Sequence, residues 1–485
     1  MQNAKKIIHC KLNEHNIYML KNKEKRFIMD LKYEKKDIYS KLNEEEIKNV
    51  YSYVDEYLEF LNKGKTEYLC VEEATKLLNK SGFVDINEKE NLQKGDKVYF
   101  INKSKSLYVA VIGEKDLESG MNIIGAHIDS PRLDLKPMPL CQKHGMALFK
   151  TQYYGGIKKY QWMSIPLALH GICYNEKGEK KVISIGEEND DICFTIADLL
   201  PHLAKDQLKA NGAEFIDPEK MLAIVASTKI DGNRDSAIKD MAIKILNEKY
   251  DIKEIDFARS ELSFVPAWRA KYVGIDKSMV GGYGQDDRVC SYATIKAISE
   301  IDSVEKTAVA MIVDKEEIGS IGNTSMNSQI FDMFVNRLIK KTGTKADILE
   351  VYYNSKMLSA DVSTCVDPNY DEVSDIQNGN ILGCGIALEK YTGSGGKYNS
   401  SDANAEFVSQ IMSLFEKNNV DFQMGTLGKI GKGGGGTIAY ILANKGVDVI
   451  DCGTPVLAMH SPFEVASIYD IYATYLAYKT MFRGK

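Results

Sequence analysis

The amino-acid sequence predicts an α/β protein whose mixed or parallel sheet, layered with helices, is interrupted by a β-rich insertion. Three observations carry this expectation. From Gly281 onward, apolar runs alternate with amphipathic runs of helical spacing, the strand–helix rhythm of an α/β domain. Between residues 137 and 273 that rhythm gives way to short alternating segments divided by turn-rich patches such as YNEKGEKK and IGEENDD. The chain, at 485 residues, is also too long for one compact core, so two domains or one large domain with an insertion are expected. Residues 1–136 and 274–485 then form a discontinuous main domain, and 137–273 the inserted one.

Taken in chain order, residues 44–62 read as a helix because Val50, Val54, Leu58 and Leu61 recur at i, i+4, i+8 and i+11. A second helix runs through VEEATKLLNKSG and stops at Gly82. Strand-like runs VYFIN (98–102) and LYVAVIG (107–113) follow, and a buried strand, MNIIGAHID, begins at Met121. Within the insertion, DSAIKDMAIKILNEKY reads as a helix. After it come the helix DRVCSYATIKAISEI, the strand TAVAMIVD, a strand near LEVYY (349–353) and the helix SDANAEFVSQIMSLFEK. The strand VDVIDC and a final helix, ASIYDIYATYLAYKTMF, complete the series.

Composition excludes several classes. Apolar residues make up 44% and charged residues 27%, the balance of a soluble globular protein. The net charge of −6 is spread over mixed signs, leaving no basic face for nucleic acid. The Lys-rich stretch 21–36 reads as a solvated surface. No uninterrupted apolar run of about 18 residues suggests a membrane span, and the first residues lack the apolar core of a secretory signal. The nine cysteines are odd in number and form no CxxC pair. This argues against a disulfide framework or thiolate zinc site and for a reducing, cytoplasmic location. Cys290 and Cys365, close to the motifs below, read as small buried packing residues.

Five islands place acids or histidines in unusual settings. In Gly125-Ala126-His127-Ile128-Asp129 a histidine ends an apolar strand with an acid two residues on, on the same strand face. Asp129 can there hold one ring nitrogen of His127 while the other binds a metal. Taken alone, the pattern is also that of a strand-end histidine with a capping acid. Gly284-Gln285-Asp286-Asp287-Arg288 opens a helix, where adjacent acids also suit the helix dipole. Asp314-Lys315-Glu316-Glu317 follows the apolar strand TAVAMIV, at the carboxyl end where open α/β sheets carry their sites. Ser359-Ala360-Asp361-Val362-Ser363 and Ala458-Met459-His460-Ser461-Pro462 complete the set.

In this order, HID, GQDDR, DKEEIG, SADVS and MHSPFE resemble the metal-site motifs of the M18 (aspartyl aminopeptidase-type) metallopeptidases, over nearly the whole chain from about Tyr57. The more distant M42 aminopeptidases share the DDR and EE pieces, but the inserted segment and MHSPFE favour M18. The resemblance implies a dizinc exopeptidase domain with an inserted oligomerisation domain, acting as an aminopeptidase on the N-terminal bond of peptides. It implies that His127 and Asp361 bind one zinc, that Glu317 and His460 bind the other, and that Asp286 bridges both. Glu316 is then the general base and Asp129 the orienting partner of His127; Asp287 and Arg288 gain no firm role and read by default as local capping or pairing residues.

Physical chemistry agrees with that implied set. Zinc accepts imidazole and carboxylate ligands, and carboxylate-rich sites also take cobalt or manganese. Two Zn²⁺ ions about 3.5–4 Å apart leave a charge excess over three carboxylates, lowering the pKa of a bridging water toward about 7. Glu316 can take the proton of the resulting metal-bridging hydroxide's parent water and deliver it to the leaving amine.

The resemblance further implies a large homo-oligomer, a dodecamer, in which the inserted domain of a neighbour delivers a histidine to the active site. His202, in DLLPHLAKDQ, fits that role better than His170, in PLALHGICY. Lys390 and Tyr398, in EKYTGSGGKYNSSDA, are implied substrate contacts, with an exposed lysine on a Gly-rich loop as the plain alternative. GKGGGG (431–436) is not a phosphate-binding loop, since no GK[ST] follows at the right spacing. Its glycines read as backbone approaching the substrate or metal centre, ahead of a helix TIAYILAN. Two other functions are open to this fold: a dizinc deacylase of N-acyl amino acids, and a non-catalytic self-assembling shell protein, which would be expected to lack Glu316 or a ligand, all of which are present here.

Overall fold

The computed structural model describes residues 31–210, 212, 215–227 and 237–485. The chain falls into two units, Met1–Asp37 and Ile38–Lys485. In the first, the described residues 31–37 carry no helix or strand. All elements named below belong to the second. Most of the Lys-rich stretch 21–36, Cys10 and the start of DSAIKDMAIKILNEKY lie outside the described residues.

A nine-stranded sheet organises the second unit. Its order is Val84–Asp85, Lys97–Asn102, Ser106–Val111, Thr307–Val313, Met121–His127, Lys356–Ser359, Asp448–Gly453, Ile386–Glu389 and Phe422–Met424. The four central strands, from Thr307–Val313 to Asp448–Gly453, run parallel, and antiparallel neighbours border them on both sides. The strands Thr307–Val313 and Met121–His127 are buried along their whole length, which explains continuous apolar runs rather than alternation.

Helices cover both faces. On one side lie Glu44–Lys63, Glu67–Lys80, Gln285–Ser299, Ala405–Lys417 and Ile468–Arg483, packing Leu58, Leu78, Val289, Phe407 and Tyr478 against the sheet. On the other lie Ile330–Thr342, Ile348–Tyr353 and Ala439–Ala443, packing Phe334, Val351 and Leu442. The first helix begins with a capping box: Asn43 accepts from Glu46 N while the Glu46 side chain accepts from Asn43 N.

A second sheet is drawn wholly from residues 132–266, in the order Lys180–Ile185, Leu167–Tyr174, Ser260–Pro266, Arg132–Lys143, Met146–Tyr154 and Leu222–Ser227, with every pair antiparallel. Its own core holds Phe149, Trp162 and Phe264, with helix Ala237–Tyr250 packed on it through Ile238, Ala242 and Leu246. A third sheet of five short strands joins Lys271–Val273, Met279–Gly282, Glu464–Ser467, Pro455–Leu457 and Ser363–Thr364.

Two local expectations fail. LEVYY is not a strand but part of helix Ile348–Tyr353, capped by Asp347 accepting from Leu349 N at 2.8 Å. Val351 and Tyr352 are buried while Leu349 and Tyr353 face outward, so a β-branched, aromatic run hid a single amphipathic turn. The strand lies just beyond, at Lys356–Ser359. Helix Ile330–Thr342 was not expected at all, although Phe331, Phe334, Val335, Leu338 and Ile339 mark one face at helical spacing and Gly343 (φ 73°) ends it. Among the described residues, no helix is long and apolar enough to cross a membrane. Among the described residues no cysteine is in a disulfide, and Cys290 and Cys365 are buried.

Candidate metal centre

Parallel register brings three of the sequence islands to one edge of the large sheet. Val313 stands opposite His127, and Ser359 opposite Gly125. The chain therefore leaves one strand at His127, its neighbour toward Glu316 and Glu317, and the third toward Asp361. Between Asp314 and the turn Glu316–Ile318, Lys315 takes a left-handed conformation (φ 69°), its amine held by Asp314 and Thr324 at 2.9 Å each.

The other two islands reach the same edge by separate routes. Gly284 (φ 75°) breaks the chain before Asp286 and Asp287, which are joined by a cis peptide bond and are non-helical; the regular helix begins after them. His460 (φ 65°) sits between the strands Pro455–Leu457 and Glu464–Ser467 of the third sheet.

The five side chains converge. His127 Nε2 lies 3.3 Å from Asp286 Oδ1 and 3.7 Å from Asp361 Oδ1. His460 Nε2 lies 3.1 Å from Asp286 Oδ2 and 3.5 Å from Glu317 Oε2. Asp286 thus turns one oxygen to each imidazole. Glu316 Oε2 approaches His127 Nε2 at 3.9 Å. Donor atoms of His127, Asp286 and Glu317, and of His127, Glu316 and Asp361, form two clusters compact enough to hold an ion.

The electrostatics call for a cation. Burial first, and then the Asp361 carboxylate, push Glu316 up to about 8. Burial and Asp286 raise Glu317 well above the usual carboxylate range, and burial raises Asp361 as well. Burial acts on Asp286 in the same sense, but the His127 and His460 imidazoles outweigh it and hold that carboxyl low. Carboxylates packed this closely resist ionising together unless positive charge joins them. Among the described residues, Glu317 Oε1 is buried without a hydrogen-bond partner. The donor set, imidazoles and carboxylates, suits zinc.

Asp129 does more than face His127. His127 Nδ1 lies 3.0 Å from the main-chain oxygen of Asp129 and 3.4 Å from its Oδ1. The two carboxylate oxygens accept from Glu316 N and Glu317 N, at 3.1 Å each. Asp129 thereby fastens the turn that carries both glutamates. Asp287 does not cap the helix: its Oδ2 accepts from His127 N at 3.2 Å. Among the described residues Arg288 has no ion-pair partner; it is buried against the Tyr283 ring, donating to Ile128 O and Lys65 O at 3.3 Å each.

One residue of the centre escaped sequence reasoning. Glu464 is buried, and its carboxylate accepts from Asp286 N at 3.0 Å and from His460 N at 2.7 Å, tying two islands together. Burial, and then Asp286, push it up to about 8. The only sequence signal was its place in MHSPFE.

The outlying candidates sit apart from this cluster. His202 is exposed on the turn Pro201–Leu203. His170 is buried in the second sheet, bonded to Glu187, which also pairs with Lys65. Lys390 Nζ donates to Asp402 at 3.0 Å, Lys397 shares that carboxylate at 2.8 Å, and Tyr398 is exposed. The glycines of 431–436 reach the segment 389–403 that carries Lys390 and Tyr398. Gly434–Gly435 pairs with Gly393–Ser394, and a Cβ on Gly434 would meet Gly393 O at 2.3 Å. The helix after them is shorter than expected, Ala439–Ala443.

Comparison with known proteins bears on the same residues. The family model for aminopeptidase I zinc metalloprotease (M18) matches residues 60–482. A Clostridium acetobutylicum relative described as a probable M18 family aminopeptidase 1 is 44% identical over 452 residues, covering 92% of this chain and 97% of the relative. The crystal structure of an M18 aminopeptidase from Thermotoga maritima superposes with a TM-score of 0.90 at 41% identity, covering 94% of this chain and 100% of that one. The S. cerevisiae mApe1 dodecamer shares the fold, with a TM-score of 0.71 at 21% identity over 88% of this chain and 95% of that one. With the match running through every strand that carries a site residue, this chain belongs to the M18 family of zinc metalloproteases and is a metallo-aminopeptidase.

Proposed function

We propose that this aminopeptidase works with two zinc ions per subunit, one held by His127 and Asp361, the other by Glu317 and His460, with Asp286 bridging. The observation that carries this is the pose of Asp286, whose two oxygens face two different imidazoles at 3.3 and 3.1 Å. When bound, the ions would supply Lewis-acid polarisation of the scissile carbonyl and an activated water.

The chain's own residues do the rest. Glu316 is the group that takes and returns the proton: it stands outside the proposed ligand set, with Oε2 3.9 Å from His127 Nε2. Asp129 keeps Glu316 beside His127 through the main-chain bonds it accepts. Lys390 and Tyr398, on the loop 389–403, are proposed to contact the substrate. Because Asp402 already engages Lys390, any preference of that lysine for an acidic first residue is weakened.

The enzyme is proposed to act as a homo-oligomer, a dodecamer like the yeast neighbour, in the cytoplasm. The supporting feature is the exposed apolar group Leu199, Leu200, Leu203 and Leu208 around His202, a surface suited to contact with a second copy. From there His202 would reach the neighbour's active site, and the inserted segment 137–273 would carry the contact.

Zinc counting tests the ligand set. Wild type is expected to hold two zinc ions per chain, and Asp286→Ala to lose tight binding of both. Retention of both ions by that variant rejects the bridging role.

A further inference from the structure

The segment leaving the second sheet touches both halves of the centre. Strand Met146–Tyr154 ends at Tyr154, whose Oη donates to Asp129 Oδ2 at 2.9 Å. That oxygen also accepts from Glu317 N, and the other carboxylate oxygen from Glu316 N. The ring of Tyr154 is fixed in turn by the Arg132 guanidinium, 4.0 Å from its centroid, and Arg132 is bonded to Asp134 at 2.8 Å and Glu67 at 3.2 Å.

Two residues further on, Gly156 O lies 2.9 Å from His460 Nδ1. A carbonyl oxygen can only accept, so this nitrogen carries the proton and Nε2 is left free to face Asp286 and Glu317. The glycines are what allow the approach. A Cβ on Gly155 (φ 73°) would meet Glu317 Oε2 at 3.3 Å, and one on Gly156 would meet His460 Nδ1 at 3.3 Å.

We propose that Tyr154-Gly155-Gly156 is a positioning element of the metal centre. Gly156 O fixes the tautomer and plane of His460, and Tyr154, through Asp129, fixes the turn of Glu316 and Glu317. Both contacts spring from one strand end of the second sheet, so that sheet sets the geometry of a centre to which it contributes no ligand. This rests on the proposed assignment of His460 and Glu317 to one ion.

The test uses the full chain with the substitutions Tyr154→Phe and Gly156→Val, and His460→Ala as control. Zinc affinity is measured by chelator competition, kcat and KM separately, and melting on the metal-free protein. Partners that orient metal ligands typically carry about 10–100-fold in metal affinity or activity. Gly156→Val is therefore expected to weaken one of the two zinc ions by about that factor and leave the other, with metal-free melting unchanged. Tyr154→Phe is expected to keep both ions and lower kcat by about 10-fold or more, with KM little changed. Wild-type zinc affinity in Gly156→Val, or wild-type kcat in Tyr154→Phe, overturns the inference. So does an equal loss of both ions accompanied by lower melting, which marks a merely structural role. If His460→Ala itself keeps both ions at full affinity, the ligand assignment fails instead; if it loses one and Gly156→Val loses none, only the positioning inference fails.

Discussion

Glu316, half-buried, and Asp451, buried, are two acids of opposite use. Removing the carboxylate of a general base typically costs about 10²–10⁴-fold in rate. Glu316→Gln is therefore expected to lower kcat by about that factor while zinc content stays at the wild-type level. Turnover near wild type would remove Glu316 from the base role. Asp451 lies under the site, with Thr437 Oγ1 donating to one of its oxygens at 2.6 Å, and burial pushes its carboxyl up to about 7. An acid whose pKa is raised on folding binds its proton more tightly in the native state. Its contribution to stability is present below about pH 4, the unfolded value, and is lost as pH rises toward 7. Each unit is worth about 1.4 kcal/mol. Wild-type melting is expected to fall between about pH 4 and 7, and Asp451→Asn to remove part of that fall; equal slopes in the two proteins would contradict the assignment.

The residues legible in the sequence were those whose setting is local: a histidine at a strand end, paired acids after an apolar run. Glu464, Tyr154 and Gly156 were not legible as site residues. Glu464 meets Asp286 from 178 positions away, and Gly156 meets His460 from 304 positions away. Only the folded sheets bring such partners together.

At the scale of elements, most amphipathic or wholly apolar segments read correctly, while the helices Ile330–Thr342 and Ile348–Tyr353 did not. The helix Glu44–Lys63 and the strands Thr307–Val313 and Met121–His127 follow directly from spacing and composition. The helix Ile348–Tyr353 spans six residues and shares its residue types with strands, so the cap at Asp347 and burial of one face decided it. Local signals at helix ends have measurable weight. Asn43 accepts from both Glu45 N and Glu46 N at 3.0 Å. Asn43→Ala is expected to destabilise the protein by about 1 kcal/mol, read as a lower urea midpoint with unchanged zinc content. No shift would show that this helix is held by packing alone.

For the whole molecule, the division into a large mixed sheet and an antiparallel sheet from the middle of the chain was visible as a change of texture. The third, five-stranded sheet was not, because its strands are only two to four residues long and come from three distant parts of the chain. Assembly entered the sequence reading only through the family resemblance, and its proposed contact lies at the exposed apolar residues around His202. Light scattering is expected to give a mass many times that of one chain. Leu203→Asp, which puts a charge on a side chain 67% exposed, is expected to lower that mass. An unchanged mass would place the contact elsewhere.

The most direct measurement is release of amino acids by the zinc-loaded protein from matched peptides with free and N-acetylated termini, with and without chelator. Single residues freed from the free-amine peptides alone, and none once zinc is removed, is the predicted result. Equal cleavage of the acetylated peptides, or release that survives removal of zinc, would contradict a zinc centre that works on a free amino terminus.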